Sequence, residues 1–259
     1  MNPIDQFKKD VKENIANMSN DKALQDLSQK WLRDVFPYKY GYNFKSLGRP
    51  IIQMPQDIIA MQEIIWQIRP DLILETGIAH GGSLILSASM LSMLDYCDAV
   101  EAGKILDPKS SKRRVLGVDI DIRTHNRRAI EAHPLAHKIE MIQGSSIAPD
   151  VIEEVHRRAK KYERILVCLD SNHTHKHVLS ELEAYAQLVS VGSYCCVFDT
   201  LIEDIPADMF HDRPWEPGNN PKTAVRAFLK TDDRFVVDKD IEKKLLLTVA
   251  PEGYLKRIK

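Results

Sequence analysis

Residues 72–91, which read LILETGIAHGGSLILSASML, decide the fold of this chain. A short apolar run leads into Gly77, and then Gly81 and Gly82 precede Ser83 and a second, longer apolar stretch. An apolar run, a group of glycines and a helical pattern, in that order, are typical of a strand that turns sharply into a helix.

The alternation of strand-like and helix-like segments continues after this turn. Apolar runs bounded by turn residues predict five strands, at 72–76, 115–120, 139–143, 165–170 and 194–199. Amphipathic segments predict helices at 83–94, 124–132, 149–161, 174–188 and 221–230. Two final apolar segments, 235–237 and 245–250, predict an antiparallel pair at the sheet edge. The predicted fold class is α/β, with a doubly wound, mostly parallel, seven-stranded sheet and an antiparallel edge hairpin.

Residues 1–50 differ from this pattern and predict an N-terminal helical extension ahead of one domain over residues 51–259. Two helical patterns come first, followed by the aromatic patch FPYKYGYNF. Aromatic residues are enriched at subunit interfaces, so we expect a homo-oligomer. The alternative is a helical layer added to the same monomer.

The composition argues against several classes of function. Lys and Arg number 36 and Asp and Glu 37, and a near-neutral chain lacks the excess basic charge that broad nucleic-acid or anionic-membrane binding needs. No apolar run approaches the roughly 18 residues of a membrane span, and the polar N-terminus lacks the core of a secretory signal. The four cysteines are interpreted as reduced packing residues, so we expect a cytoplasmic protein.

The glycine turn predicts a cofactor site. In open parallel sheets, ligands bind beyond the carboxyl ends of the strands. Glycines there let a ligand approach the backbone, and the following helix offers free N–H groups. Gly77, Gly81, Gly82 and Ser83 are therefore candidate cofactor contacts. The alternative is a tight turn that binds no ligand.

An acid that ends the next strand indicates which cofactor this is. Asp119 follows Gly77 by far more than the roughly 20 residues of the dinucleotide fingerprint, so a pyrophosphate-containing cofactor fits poorly. A carboxylate can nevertheless accept hydrogen bonds from both hydroxyls of a ribose. A nucleoside without pyrophosphate, such as S-adenosylmethionine, fits both facts. Asp121 competes for this role from the same strand face, and Asp119 is favoured.

The third predicted strand ends in small polar residues. Gly144, Ser145 and Ser146 could lie beside an adenine and hydrogen-bond to its edge. Ser146 is also well placed to cap a helix that begins near Ala148. Both roles can hold together.

Two acids end the fourth and fifth predicted strands. If these strands are neighbours, Asp170 and Asp199 open into one crevice, and their oxygens suit Mg²⁺. Such an ion would lower the pKa of an acceptor hydroxyl and orient its oxygen. His173 is the candidate general base, since an imidazole titrates near neutrality. His175 and His177 fit a polar turn into a helix better than a zinc site.

Taken together, these segments resemble one family. ETGIAHGGS, GVDIDIR, QGSSI, LDSNHTHKHVLSELEAY, GSYCCVFDT and NPKTAVRAFL…LLLTVAPEGYLKR are similar to the cephalosporin hydroxylase/rhamnosyl O-methyltransferase family, from about residue 47 onward. Its members look like methyltransferases that depend on S-adenosylmethionine and Mg²⁺, with a Rossmann-like core shared with catechol-type O-methyltransferases. The resemblance therefore implies that fold, that activity and both cofactors.

The resemblance also implies roles for single residues. It places cofactor contacts at Glu75, Gly77, Ser83, Asp119 and Ser145, and metal contacts at Asp170 and Asp199. Asp170 is expected to contact the cofactor and to take part in catalysis as well. His173 stands where the catechol-type enzymes have the base that deprotonates the acceptor.

One position departs from the family pattern. The metal-binding pair that ends the fifth strand is often acidic at both positions, and here it is Phe198-Asp199. Because a phenyl ring cannot bind a metal ion, three possibilities stay open. The ion takes more waters, Glu203 or Asp204 reaches the site, or metal dependence is weakened.

The leading functional hypothesis is methyl transfer to a hydroxyl of a sugar in a glycoconjugate or glycosylated natural product. The loop over residues 201–220 is expected to cover the acceptor, with Phe210 and His211 in it. Its Trp215 either stacks on the sugar or anchors the loop. A catalytically weak cofactor-binding subunit is the alternative function. Hydroxylation by non-haem iron is disfavoured, because no histidine is followed two residues later by an acid.

Overall fold

The computed structural model describes residues 2–209 and 212–259. Its strands are β1 Phe44–Ser46, β2 Arg49–Ile51, β3 Leu72–Thr76, β4 Arg114–Asp119, β5 Ile139–Gln143, β6 Ile165–Leu169, β7 Tyr194–Val197, β8 Phe235–Val237 and β9 Tyr254–Arg257. Its α-helices are α1 Pro3–Asn20, α2 Lys22–Val35, α3 Pro55–Ile68, α4 Gly82–Glu101, α5 Thr124–Glu131, α6 Pro149–Ala159, α7 His175–Tyr185, α8 Pro221–Thr231 and α9 Lys239–Leu245.

Strands β3 and β6 lie at the centre of the main sheet, and every residue of both is buried. Such continuous apolar runs are typical of parallel strands that are covered on both faces. The strand order is β5-β4-β3-β6-β7-β9-β8, with β5 to β7 parallel. The order reverses between β3 and β6, which is where doubly wound sheets bind their ligands. The predicted α/β fold class is confirmed.

Helices cover both faces of this sheet. On one face, α6, α7 and α8 contribute a core that includes Val155, Leu182 and Phe228. On the other, α3, α4 and α5 contribute a second core.

By length and composition alone α4 would be able to cross a membrane, a property that core helices of soluble proteins share. Its apolar side runs along the sheet, with Leu84 and Leu91 fully buried.

The antiparallel edge is present, but one of its two predicted strands is wrong. Strand β9 pairs antiparallel with both β7 and β8. The predicted strand over 245–250 is instead the end of α9 and an irregular segment. Its apolar character reflects burial, since Ala250 is inaccessible to solvent. The strand that pairs there instead, β9, is half charged, so its sequence shows no apolar run.

A short hairpin before α3 was not predicted. Strands β1 and β2 pair antiparallel, and their two-residue turn has positive φ at Leu47 and Gly48, as the favoured hairpin turns require. Each strand has three residues, which is too short for an alternating pattern to be visible. The hairpin lies against the start of α4, where a Cβ on Gly82 would overlap the backbone of Pro50 and Ile51.

The N-terminal extension is helical, as predicted. Helix α1 has no buried residue, whereas Leu32 of α2 packs against Met54, Leu201 and Ile205. Within the aromatic patch, Tyr40 forms edge contacts with Trp31 and Phe44, at centroid distances of 5.0 and 5.1 Å. The division at residue 50 and the homo-oligomer both stay predictions.

A buried carboxylate joins α3 to the C-terminal segment. Asp57 is inaccessible to solvent and accepts hydrogen bonds from the hydroxyls of Thr248 and Tyr254 and from the backbone N–H of Val249. Burial raises the pKa of Asp57 to about 6, although these three donors oppose the rise. The network fixes α3 against the segment that precedes β9.

We expect Asp57→Ala to lower the free energy of unfolding by about 2–4 kcal/mol at pH 4, because it leaves three buried donors without an acceptor. The folded pKa of about 6 exceeds the ordinary value of 3.8. Between these values the folded state therefore retains a proton that the unfolded state has lost. The stability that Asp57 contributes falls as pH rises through this range. The difference in unfolding free energy between wild type and Asp57→Ala should therefore narrow by up to about 3 kcal/mol by pH 7.

Urea unfolding of wild type and Asp57→Ala between pH 4 and 7 measures this difference in unfolding free energy. The control is Glu63→Ala, which removes an exposed acid of the same helix that pairs with Lys244. It should cost less than about 1 kcal/mol. A loss of unfolding free energy in Asp57→Ala that stays constant with pH would contradict the raised pKa of the buried carboxylate.

Candidate active site

The carboxyl ends of β3 and β6 meet in direct backbone contact. Asp170 N donates to Thr76 O at 2.9 Å, and Gly77 N donates to Val118 O of β4 at 2.8 Å. Gly77 has a φ of 89°, and a Cβ there would overlap the carbonyl group of Asp170. Glycine is therefore required at position 77 by the neighbouring strand, which brings the glycine turn and Asp170 together.

The other residues of the glycine turn also have structural reasons for their identity. Gly81 has a φ of 82° and lies against the side chain of Ile130. Gly82 lies against the β1–β2 hairpin. The turn is thus tightly packed by protein, and its proposed contact with a cofactor stays a prediction.

Asp119 lies at the end of β4, next to this turn. Its Oδ2 accepts from Ile78 N at 2.7 Å and from Ala79 N at 3.2 Å, and its Oδ1 accepts from Asp121 N at 2.9 Å. A carboxylate has about four acceptor positions, so one stays open to a ligand hydroxyl. The Asp121 side chain is 70% exposed, within 3.9 Å of Arg123. The geometry therefore favours Asp119 of the two acids.

Glu75 is buried at the base of the same turn. The hydroxyl of Ser83 donates a hydrogen bond to its carboxylate. Burial raises the pKa of Glu75 to about 7, and the Ser83 hydrogen bond opposes that rise. Both side chains line a small cavity that also reaches Gln53, Asp170 and Phe198.

The end of β5 differs in part from the prediction. Ser145 is half-buried just beyond the carboxyl end of this strand, and its contact with a cofactor stays a prediction. The predicted helix cap at Ser146 is wrong, because α6 begins at Pro149 after Ala148 and has no side-chain cap. Ser146 Oγ lies instead 3.0 Å from His177 Nε2, a contact made across two elements distant in sequence.

Asp170, His173 and Asp199 form a cluster whose ligand atoms all lie within 4.8 Å of one another. His173 Nε2 is 3.1 Å from Asp199 Oδ2, and the side chains are 15% and 38% exposed. Burial raises the pKa of Asp170 well above its ordinary value, and the charges of Asp199, Glu75 and Glu181 add to this rise. A bound cation would relieve this repulsion between the carboxylates. The donor set therefore fits a divalent ion.

His175 and His177, which follow His173 at every second position, lie apart from this cluster. His175 Nδ1 is 2.8 Å from Thr223 Oγ1 of α8, and His177 Nε2 is 3.2 Å from Ser171 Oγ. Among residues 2–209 and 212–259, the Asp170 cluster is the only group of three side chains of metal-binding type. The structure thus gives no support to a zinc site of three histidines.

The residues offered as substitutes for Phe198 are engaged elsewhere. Phe198 is buried in the core beneath the sheet. Glu203 accepts from Gly218 N at 2.8 Å, and Asp204 pairs with the buried amine of Lys222. Neither acid completes the cluster in this arrangement. His173, by contrast, has a ring nitrogen within 4.8 Å of an oxygen of each aspartate.

Trp215 lies over the cluster. Its ring meets that of His173 edge to face, with centroids 4.7 Å apart, and the Arg213 guanidinium lies 5.2 Å from the indole centroid. Trp215 also packs against the apolar group around Leu201, so both predicted roles are compatible with its position. Asn219 Oδ1 accepts from His175 N at 3.0 Å and fixes this loop to α7. Phe210 and His211 of the predicted lid lie outside the described residues.

Gln53 is a site residue that the motifs did not indicate. It lies between β2 and α3, lines the Glu75 cavity and hydrogen-bonds to the carboxylate of Asp170. No local pattern marks it, because its partner is far away in sequence. The available signal was a polar residue inside the otherwise apolar segment IIQMP.

A crevice at the point where strand order reverses is common to ligand-binding doubly wound proteins, and the family comparison assigns this chain to one class of them, the O-methyltransferases. The chain belongs to the rhamnosyl O-methyltransferase/CmcI family, whose model matches residues 38–258.

Individual relatives agree with this assignment. The rhamnosyl O-methyltransferase of Mycobacterium tuberculosis is 28% identical over 210 residues, which cover 78% of this chain and 73% of the relative. That of Mycobacterium leprae is 26% identical over 214 residues and 82% of each chain.

Two solved structures share the fold. A Mg-SAM structure of CmcI is similar with a TM-score of 0.54 and 16% identity, over 84% of this chain and 78% of that chain. The apo structure of CalS11, a TDP-rhamnose 3′-O-methyltransferase of calicheamicin biosynthesis, gives 0.50 and 15%, over 90% and 93%. The predicted Rossmann-like architecture is thereby confirmed.

We expect Gly77→Ala to destabilise the protein by at least about 2 kcal/mol more than Gly192→Ala, because its Cβ would force the end of β6 away. Gly192 is a matched control, since its φ is 86° but nothing lies within 4 Å of an added Cβ. Gly192→Ala should cost about 1–2 kcal/mol for the left-handed backbone alone. Urea unfolding measures both, and equal losses would contradict the close approach of the two strand ends.

Proposed function

We propose that this protein transfers a methyl group from S-adenosylmethionine to a hydroxyl group of a sugar-containing acceptor, with the help of a divalent ion such as Mg²⁺. One observation carries this proposal: the Asp170 cluster and the glycine turn share a backbone contact at the ends of β3 and β6. A nucleoside held at the turn would therefore lie next to an acceptor held at the cluster. The names of the curated relatives support a sugar hydroxyl as the acceptor.

The residues present fit both groups. S-Adenosylmethionine supplies a methyl group on a sulfonium, and a divalent ion lowers the pKa of a bound hydroxyl. Asp119 would hold the ribose through its open acceptor position, and Glu75 and Ser83 would line the pocket for the rest of the cofactor. Asp170 and Asp199 would hold the ion. Phe198 supplies no ligand, so we expect more water in the ion's coordination shell than in a site with three acids.

His173 is proposed as the base that takes the proton of the acceptor hydroxyl. Its Nε2 lies within hydrogen-bond distance of Asp199, which would orient the ring and stabilise the imidazolium that forms. Trp215 contacts the His173 ring in an edge-to-face arrangement, and its indole would be the surface on which the acceptor sugar stacks. The chain's main task is alignment of acceptor and methyl group, since the leaving group is already activated.

A second function is favoured by one observation. Because Phe198 occupies a position that often carries a metal-binding acid, the chain could be a cofactor-binding subunit with weak catalytic activity. Mass spectrometry of a panel of glycosylated acceptors separates the two functions. A product heavier by one methyl group supports the enzyme, and cofactor binding without any product supports the subunit.

We expect His173→Ala and Asp199→Asn each to lower turnover by about 100-fold or more, as loss of a general base or metal ligand does. Binding of S-adenosylhomocysteine, measured by calorimetry, should change little, because neither side chain is proposed to contact the cofactor. His125→Ala, on the exposed face of α5, is the control. Turnover close to wild type in both variants would remove the metal-and-base mechanism.

We expect Asp119→Ala to weaken binding of S-adenosylmethionine by at least about 10-fold, since it removes a charged acceptor and the two hydrogen bonds from Ile78 N and Ala79 N that hold the turn. Asp121→Ala is the matched control and should bind normally, because its carboxylate points to solvent. Calorimetry with both variants decides between the two acids. Weaker binding for Asp121→Ala alone would reverse the assignment.

A further inference from the structure

A small cavity opens beside the glycine turn, between the sheet and the starts of α3 and α4. Its lining consists of Ile51, Gln53, Met61, Glu75, Ser83, Leu86, Ser87, Cys168, Asp170 and Phe198. Two of these residues are acids, and none carries a positive charge. The cavity is therefore rich in acceptors and has no cation of its own.

Gln53 has a half-satisfied side chain in this cavity. It is 6% exposed, and its amide hydrogen-bonds to the carboxylate of Asp170, for which it must use its N–H group. Its Oε1 is buried and has no hydrogen-bond partner. An unpaired buried acceptor costs free energy, so such a group in a binding crevice points to a donor that arrives with a ligand.

The backbone around Gln53 is held in place. Gln53 N donates to Gly41 O at 3.0 Å, and helix α3, which begins two residues later, is fixed by the Asp57 network. The amide is thus preorganised, because its position does not depend on a ligand. Its orientation is set by the hydrogen bond to Asp170, which leaves Oε1 as the free end.

The chemistry of the lining selects the donor. Gln53 Oε1, Glu75 and Asp170 are three acceptors, and two of them carry negative charge when ionised. A primary ammonium group offers three N–H donors and a positive charge, which matches this set. A third acid at position 53 would add repulsion between carboxylates, whereas a neutral amide adds an acceptor without that cost.

We propose that Gln53 Oε1 accepts a hydrogen bond from the α-ammonium group of S-adenosylmethionine, with Glu75 and Asp170 as the flanking acceptors. This inference rests on the proposed function, because it assigns one end of the proposed cofactor to this cavity. Gln53 is then a binding residue of the amino-acid portion of the cofactor. Its second hydrogen bond, to Asp170, links that portion to the metal-binding carboxylate.

The test compares two ligands on three proteins by calorimetry. The ligands are S-adenosylhomocysteine and its desamino analogue, which lacks only the α-amino group. The proteins are wild type, Gln53→Leu and the matched control Gln56→Leu. Gln56 also has a buried Oε1 without a partner, but it does not line the cavity.

We expect Gln53→Leu to bind S-adenosylhomocysteine about 10- to 100-fold more weakly than wild type, the usual loss of a hydrogen bond to a charged group. It should bind the desamino analogue as wild type does, because the lost partner is absent from that ligand. Gln56→Leu should bind both ligands normally. This pattern would assign the α-ammonium to Gln53.

Two results would overturn the inference. The first is unchanged affinity of Gln53→Leu for S-adenosylhomocysteine. The second is an equal loss for both ligands, which would make Gln53 a purely structural residue. A wild-type protein that binds neither ligand would instead overturn the proposed function, and the inference with it.

Discussion

The contact between Gly77 and the carbonyl group of Asp170 is the constraint on which the site depends. Because residue 77 has no Cβ, the ends of β3 and β6 approach closely enough to place the glycine turn beside Asp170. The strand order reverses between these same two strands. A larger side chain here would separate the two parts of the crevice, one that would hold a nucleoside and one that would hold an ion and a hydroxyl. The sheet's topology and the site's chemistry are thus joined at one glycine.

The electrostatics of the crevice follow from this closeness. Glu75, Asp170 and Asp199 are brought together, and the pKa of Asp170 rises because of burial and because of the charges of Asp199, Glu75 and Glu181. Asp95 is a contrasting case, because it is paired with Lys138 and Arg113. The crevice lacks such a partner. The positive charges of the proposed ligands, a divalent ion and an ammonium group, would stabilise such a site.

Much of this arrangement is readable in the sequence, and the exceptions share a cause. The bounds of β3 and β5 agree with prediction, and Asp119, Asp170 and Asp199 lie at strand ends as predicted, because periodicity and turn residues are local signals. The hairpin of β1 and β2 was missed, since three-residue strands show no alternation. Gln53 and the Ser146–His177 contact were missed because their partners are distant in sequence. Residues 245–250 are apolar but pair with no strand, so an apolar run alone does not distinguish them from a strand.

Paramagnetic relaxation tests most directly whether ion and cofactor share one crevice. The sample is wild-type protein with S-adenosylmethionine labelled with ¹³C at its methyl group, saturated first with Mg²⁺ and then with Mn²⁺. We expect relaxation of the bound methyl carbon to be much faster with Mn²⁺, because the cluster of Asp170 and Asp199 lies next to the glycine turn. Equal relaxation with the two ions, both shown to be bound, would place them in separate parts of the molecule and contradict this account.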